Sequence, residues 1–276
     1  MRKDIRKKLV SMSETEYRKF TSNLIPGCEN ILGVRQPVLK QYAKELIKSC
    51  DDFRILLMEE DMYYEETLLR AYLIGIGTKK EKNFELAKQD LLNFIPRVNN
   101  WAVNDCFCAA FDVMDNFRGE FIKILEKLVK SKKEYEARIG LIMLLDHYLK
   151  VDCNGKKINR KRSVSVEDLY ANEEKGMYIE RIIELVNRDF KENGYYTCMA
   201  AGWLLAEAFV VFPKTIYEFL KDEKNNKMDE ESYKKAIRKI CESKNPSDEV
   251  KVLVKELYDL KKKMWKMWKD NIYERL

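Results

Sequence analysis

Glu66-Thr67-Leu68-Leu69-Arg70-Ala71 and Glu134-Tyr135-Glu136-Ala137-Arg138-Ile139 decide the fold. Each opens an apolar helix after a charged approach. Helix starts of this kind fall near residues 64, 100, 134 and 194. The first two intervals are roughly 35 residues, the length of a two-helix unit that buries its apolar face against its neighbours. The third interval is longer because it holds a basic segment at about 151–173, read as an insertion since helical patterning resumes unchanged after it. The pattern predicts an all-α chain built as an α-α superhelix, whose concave face is the usual binding surface.

The rest of the sequence agrees. Among 276 residues only ten are Gly and five are Pro, too few for the turns of a β sandwich or barrel. Apolar 3-4 spacing predicts helices at about 51–59, 63–77, 83–95, 99–116, 118–131, 134–150, 175–190, 194–212, 214–222, 229–243 and 247–270. Ser13-Glu14-Thr15-Glu16 reads as a capping box opening a helix that runs to about Asn23 and stops before Pro26-Gly27. Pro37 starts another helix, where its missing N–H costs nothing. No segment alternates as a strand does. The last helix carries Met264, Trp265, Trp268 and Ile272 in one stripe with lysines on its other faces, which predicts a terminal cap; a contact helix is the alternative.

Several function classes fall away. No apolar run is long enough to span a membrane. The first residues, Met1-Arg2-Lys3-Asp4-Ile5-Arg6-Lys7-Lys8, lack a hydrophobic signal core, so a cytoplasmic protein is expected. The seven cysteines form no Cys-x-x-Cys, and the single His147 sits in an apolar helix, so neither a metal site nor a cofactor is expected. The net charge is +6, which permits nucleic-acid binding without requiring it. The basic residues gather at Lys150–Ser163 and Lys261–Lys269.

Four residues stand out chemically. The helix Asn99-Asn100-Trp101-Ala102-Val103-Asn104-Asp105-Cys106-Phe107-Cys108 is apolar nearly all round, so an aspartate in it must be paired, hydrogen-bonded or open to a cavity. Trp101 and Asp105 lie one turn apart on one face. An aromatic plane beside a carboxylate can receive a flat cation; a packed Trp and a structural Asp are the alternative. Arg138 is a candidate partner for Asp105 or for a phosphate, or else a salt bridge between repeats. In Met199-Ala200-Ala201-Gly202-Trp203-Leu204 the small residues allow close helix approach, and Trp203 follows them.

Gly33-Val34-Arg35-x-Pro37, Trp101-x-x-x-Asp105, Arg138 at its helix start and Met199-Ala200-x-Gly202-Trp203-Leu204 occur in the order found in DNA alkylation repair proteins. Over about residues 13 to 260 the chain resembles that family, the HEAT-like-repeat DNA glycosylases. Pro26-Gly27 shortens the N-terminal helix, which places the chain in a divergent branch. The resemblance implies a single HEAT-like-repeat domain over residues 1–276, with a basic concave face that cradles duplex DNA. It implies hydrolysis of the N-glycosidic bond of cationic N-alkylpurines such as 3-methyladenine and 7-methylguanine. Asp105 becomes the catalytic carboxylate. Trp101 and Trp203 become aromatic walls at the lesion, and Arg138 contacts the DNA backbone or holds the Asp. Arg35, Lys156, Lys157, Arg160, Lys161 and Arg162 are the expected DNA-contacting cations. The expected partner is duplex DNA, alkylated or not, bound by a monomer away from any membrane. A non-catalytic binder of branched or damaged DNA and a protein-interaction scaffold are the rival readings.

Overall fold

The computed structural model describes residues 2–57, 59–159 and 163–273. The fold is all-α, as the periodicity predicts. Thirteen α-helices lie among the described residues, joined by short 3-10 turns. Isolated bridges, such as Val151 with Lys157, are the only strand-like pairings among those residues. The chain divides into two compact units, 1–123 and 124–276.

The first unit holds α1 (Arg2–Ser11), α2 (Thr15–Leu24), α3 (Gln36–Lys48), α4 (Tyr64–Glu81), α5 (Phe84–Phe94) and α6 (Trp101–Ala110). Its centre is α4, packed by α3, α5 and α6. Thirteen consecutive-turn positions of α4 are buried, Glu65, Glu66 and Arg70 among them. Close approach is needed here: a Cβ at Gly75 would stand 2.4 Å from the Ala110 carbonyl oxygen. A chain of rings fills the far side of α6, with Phe94, Phe107 and Phe111 at successive centroid distances of 4.2 and 5.3 Å. Such aromatic contacts add stabilisation beyond the area they bury.

The second unit contains α8 (Glu134–Met143), α9 (Ile179–Val186), α10 (Tyr195–Val211), α11 (Pro213–Lys221), α12 (Glu230–Glu242) and α13 (Asp248–Tyr273). The division itself falls within α7 (Arg118–Val129). Here α10 is central, packed by α8, α11 and α12. A Cβ at Gly202 would meet Lys235 Cβ at 2.7 Å and the Ala236 nitrogen at 2.8 Å, so the small-residue stretch does permit close packing, against α12. A π-helical turn, Leu144–Tyr148, continues α8 and buries His147. Trp265 of α13 packs edge-on against Tyr233, 5.5 Å between centroids, and the Lys261 ammonium is buried on the carbonyls of Glu223 and Asn226. The side chains of Trp268 and Ile272 lie outside the described residues.

One local expectation is corrected. No capping box forms at Ser13. The helix before it, α1, went unread, and its end captures the serine: Ser13 Oγ donates to the Val10 carbonyl at 2.8 Å. Glu14 becomes the N-cap of α2 instead, and Glu16 pairs with Lys19. The helix that Glu14 opens presents aromatic surface. Phe20 on α2 is 55% exposed, with the Tyr17 ring tilted against it at 5.9 Å.

The basic segment is stitched into the second unit. Buried Asp152 accepts from the backbone N–H of Asn154 and Lys156, folding a tight turn that leaves Lys156 and Lys157 exposed. Glu173 accepts from Thr215 N–H and Oγ and so caps the start of α11.

Candidate functional site

Asn100 fixes the start of α6. Its side chain accepts from the Val103 N–H at 2.9 Å, satisfying one of the orphan donors of a helix N-terminus. From there the helix periodicity does the sorting. Ala102, Val103, Phe107 and Cys108 face the core, while Trp101, Asp105 and Ala109 fall on the outward face. Trp101 and Asp105 are both half-buried, one turn apart, as their spacing predicts.

Each is held in place. The Trp101 indole N–H donates to the Leu24 carbonyl at 3.1 Å, tying the ring to the end of α2. Asn104, fully buried, donates from Nδ2 to Asp105 Oδ1 at 3.0 Å. The same amide reaches Cys108 Sγ at 3.7 Å, while its buried Oδ1 finds no hydrogen-bond partner among the described residues. A carboxylate beside a buried, incompletely satisfied amide is a polar spot in an otherwise apolar helix, and such a spot costs stability. Burial pushes the pKa of the neighbouring Cys106 thiol up, and the Asp105 charge adds to the effect.

Arg138 and Trp203 belong to the second unit. Arg138 is 5% exposed on α8 and donates from Nη1 to the Tyr196 carbonyl at 2.7 Å. Glu134, one turn earlier, accepts from the Tyr196 N–H at 2.7 Å. The two ends of one Glu-x-x-x-Arg pair therefore grip the first turn of α10. Trp203 is carried by that helix, half-exposed on a face with Tyr196, Met199 and Glu207 while the residues around it are buried. Glu207 stands one turn from Trp203, the same spacing as Trp101 and Asp105. That spacing was visible in the sequence and was not read.

The cations are placed as follows. Arg35 is exposed but engaged: its guanidinium makes a two-pronged ion pair with Glu14 at 2.9 Å and lies 4.9 Å from the Tyr17 ring centroid. That pairing holds the Glu14 carboxyl below the usual carboxylate range. Lys156 and Lys157 are exposed. Arg160, Lys161 and Arg162 lie outside the described residues.

The Gly33-Val34-Arg35 motif has a partner that sequence reading missed. Buried Glu65 accepts from the backbone N–H of Leu32, Gly33 and Val34 at 2.9, 2.7 and 3.3 Å. Gly33 adopts φ +89°, and a Cβ there would stand 2.5 Å from the Glu14 carbonyl oxygen, so only glycine fits.

A family model described as DNA alkylation repair enzyme matches residues 5–240. The chain belongs to the DNA alkylation repair enzyme family. The match spans both units and includes Trp101, Asp105, Arg138 and Trp203. No curated protein and no solved structure matches it. For this DNA alkylation repair family member, no three acidic, Cys or His side chains among the described residues could hold a metal ion, and no helix there is long and apolar enough to cross a membrane.

Proposed function

We propose that the protein binds duplex DNA and hydrolyses the N-glycosidic bond of cationic N-alkylpurines such as 3-methyladenine and 7-methylguanine, with Asp105 as the catalytic carboxylate. The observation that carries this reading is the half-exposed Trp101–Asp105 pair on the outward face of α6, with Asp105 oriented by Asn104.

The chemistry asks little of the protein. An alkylated purine already carries a positive charge and leaves as a neutral base, so no strong general acid is required. Cleavage develops positive charge on the sugar. Asp105 stabilises that charge and orients the attacking water; its fixed position means no reorganisation at the moment of reaction. The Trp101 face attracts a cationic base through its quadrupole, and Trp203 on α10 offers a face of the same chemical kind. Arg138 is a positioning residue: its bond to the Tyr196 carbonyl fixes the helix that carries Trp203. Arg35, Lys156 and Lys157, with Arg160, Lys161 and Arg162 of the same basic segment, meet phosphates and give salt-dependent affinity. The reaction so written uses no metal and no cofactor. We read residues 1–276 as one HEAT-like-repeat domain, monomeric, with the basic segment as an insertion and α13 as its cap.

The test is release of free base from methylated duplex DNA by the purified protein. Wild type releases it; Asp105→Asn slows release at least about a hundredfold while duplex affinity stays within about twofold. No release by wild type, on DNA that a control glycosylase cleaves, overturns the catalytic reading and leaves a DNA-binding protein.

A further inference from the structure

Three tyrosines at the starts of α8 and α10 take no part in this mechanism. Tyr135 and Tyr196 stack with ring centroids 5.9 Å apart at 27°, and Tyr195 stands edge-on to Tyr196 at 5.3 Å. Tyr195 is 59% exposed, and the other two are half-buried. Core packing alone does not explain a ring cluster that reaches the surface.

The backbone beneath the rings is built to hold them. Gly194 sits at φ +101°, and a Cβ there would stand 2.5 Å from Glu134 Oε1, so glycine alone lets α10 begin against α8. Asn193 Nδ2 donates to the Ser131 carbonyl at 2.6 Å, and Thr197 Oγ donates to the Glu134 carbonyl at 2.8 Å. With the Glu134 and Arg138 bonds to Tyr196, both helix starts are locked together. Rings so fixed have little freedom left to lose when a ligand stacks on them.

Charge surrounds the cluster. The Lys235 ammonium lies 4.2 Å from the Tyr195 ring centroid. Lys234 and Arg238 are exposed on the same stretch of α12, and Lys132 and Lys133 are exposed just before Tyr135. Three of these cations are paired, Lys235 with Glu231, Arg238 with Glu242 and Lys133 with Glu136, and Glu134 is taken up by the Tyr196 N–H; Lys132 and Lys234 add exposed positive charge beside them. Aromatic faces within a cationic rim suit a nucleic-acid strand, because bases stack on the rings while phosphates meet the cations. Bases inside a duplex present no free face, so the ligand class is an unpaired nucleotide.

We infer that Tyr135, Tyr195 and Tyr196 form a stacking platform for unpaired nucleotides of a DNA strand, additional to the Trp101–Asp105 pair. This rests on the reading of the protein as a DNA-binding one. Trp203, two turns along the same half-exposed face of α10 as Tyr196, continues the aromatic strip.

Fluorescence anisotropy on the full chain tests it with three DNAs: a blunt duplex, the same duplex with a six-thymidine arm, and the same duplex with a six-residue abasic arm of equal charge. The base-bearing arm should bind about tenfold more tightly than the abasic arm. Tyr195→Ala should cut that preference several-fold, and Tyr135→Leu with Tyr196→Leu should remove it, with blunt-duplex affinity unchanged. Tyr195→Ala changes an exposed side chain, so folding is preserved even if the double variant fails to fold. Equal wild-type affinity for the two arms overturns the platform and leaves the duplex reading standing. A preference untouched by Tyr195→Ala also overturns it. Failure to bind any of the three DNAs overturns the platform and the duplex reading together. Self-association of wild type that Tyr195→Ala abolishes assigns the face to a second copy of the chain and overturns the platform.

Discussion

The two units use the same pair of sequence devices to different ends. In the first, Glu66 and Arg70 open α4, and α6 packed on it carries Trp101 and Asp105. In the second, Glu134 and Arg138 open α8, and α10 packed on it carries Trp203 and Glu207. Arg70 spends its donors locally, on Asp61 and on the carbonyls of Leu57 and Glu59, so it pins a loop. Arg138 reaches 58 residues along the chain to the Tyr196 carbonyl, so it pins the aromatic helix itself. The tryptophans reverse the arrangement. Trp101 is anchored directly, through its indole N–H, whereas α10 is anchored at its first turn and carries Trp203 along with it. One spacing therefore serves as a loop clamp in one unit and as a helix clamp in the other. Only the partners distinguish them.

Truncating the two arginines should break that symmetry most visibly. Arg70 and Asp61 are both nearly solvent-free, at 4% and 8% side-chain exposure. Arg70→Leu strands the carboxylate and two carbonyls and should cost about 3–5 kcal/mol. Arg138→Leu breaks the charged bond to the Tyr196 carbonyl and should cost at least about 2 kcal/mol. Urea denaturation followed by circular dichroism measures both. No measurable loss from Arg138→Leu would contradict its role as a helix clamp. A smaller effect is expected at the tryptophans. Trp101→Phe keeps an aromatic face and loses the bond to Leu24, for a cost of about 1 kcal/mol in the same assay. If the anchors differ as described, then with Trp265 and Trp268 both changed to Phe, the further variant Trp203→Phe, which leaves Trp101, should show higher steady-state emission anisotropy than the further variant Trp101→Phe, which leaves Trp203.

The helices were legible because their apolar 3-4 spacing is long and scarcely interrupted, and because Gly and Pro fall where helices end. What stayed hidden depends on partners distant in sequence. α1 buries little beyond Ile5 and Leu9, a single i, i+4 pair inside a charged run, too weak a signal to read as a helix. Missing α1 made Ser13 look free to cap α2, when its hydroxyl already had the Val10 carbonyl. Glu65 carries no local mark at all; its role appears only when the chain brings three N–H groups from residues 32–34 to it. Asp105 and Trp101 were legible as a pair, since helix geometry alone puts them on one face. Arg138 was legible as unusual, but its direction was not. The sequence offered Asp105, a phosphate or a salt bridge between repeats as its partner, and gave no sign of the bond it makes to a backbone carbonyl on α10.

The central claim is that Asp105 meets developing positive charge at the sugar. A transition-state mimic tests it without requiring turnover. Duplex DNA carrying a single cationic pyrrolidine abasic analogue should bind wild type at least about tenfold more tightly than duplex with a neutral tetrahydrofuran site, and Asp105→Asn should erase the difference. Equal binding of the two duplexes by wild type, or a preference that survives Asp105→Asn, would contradict the account.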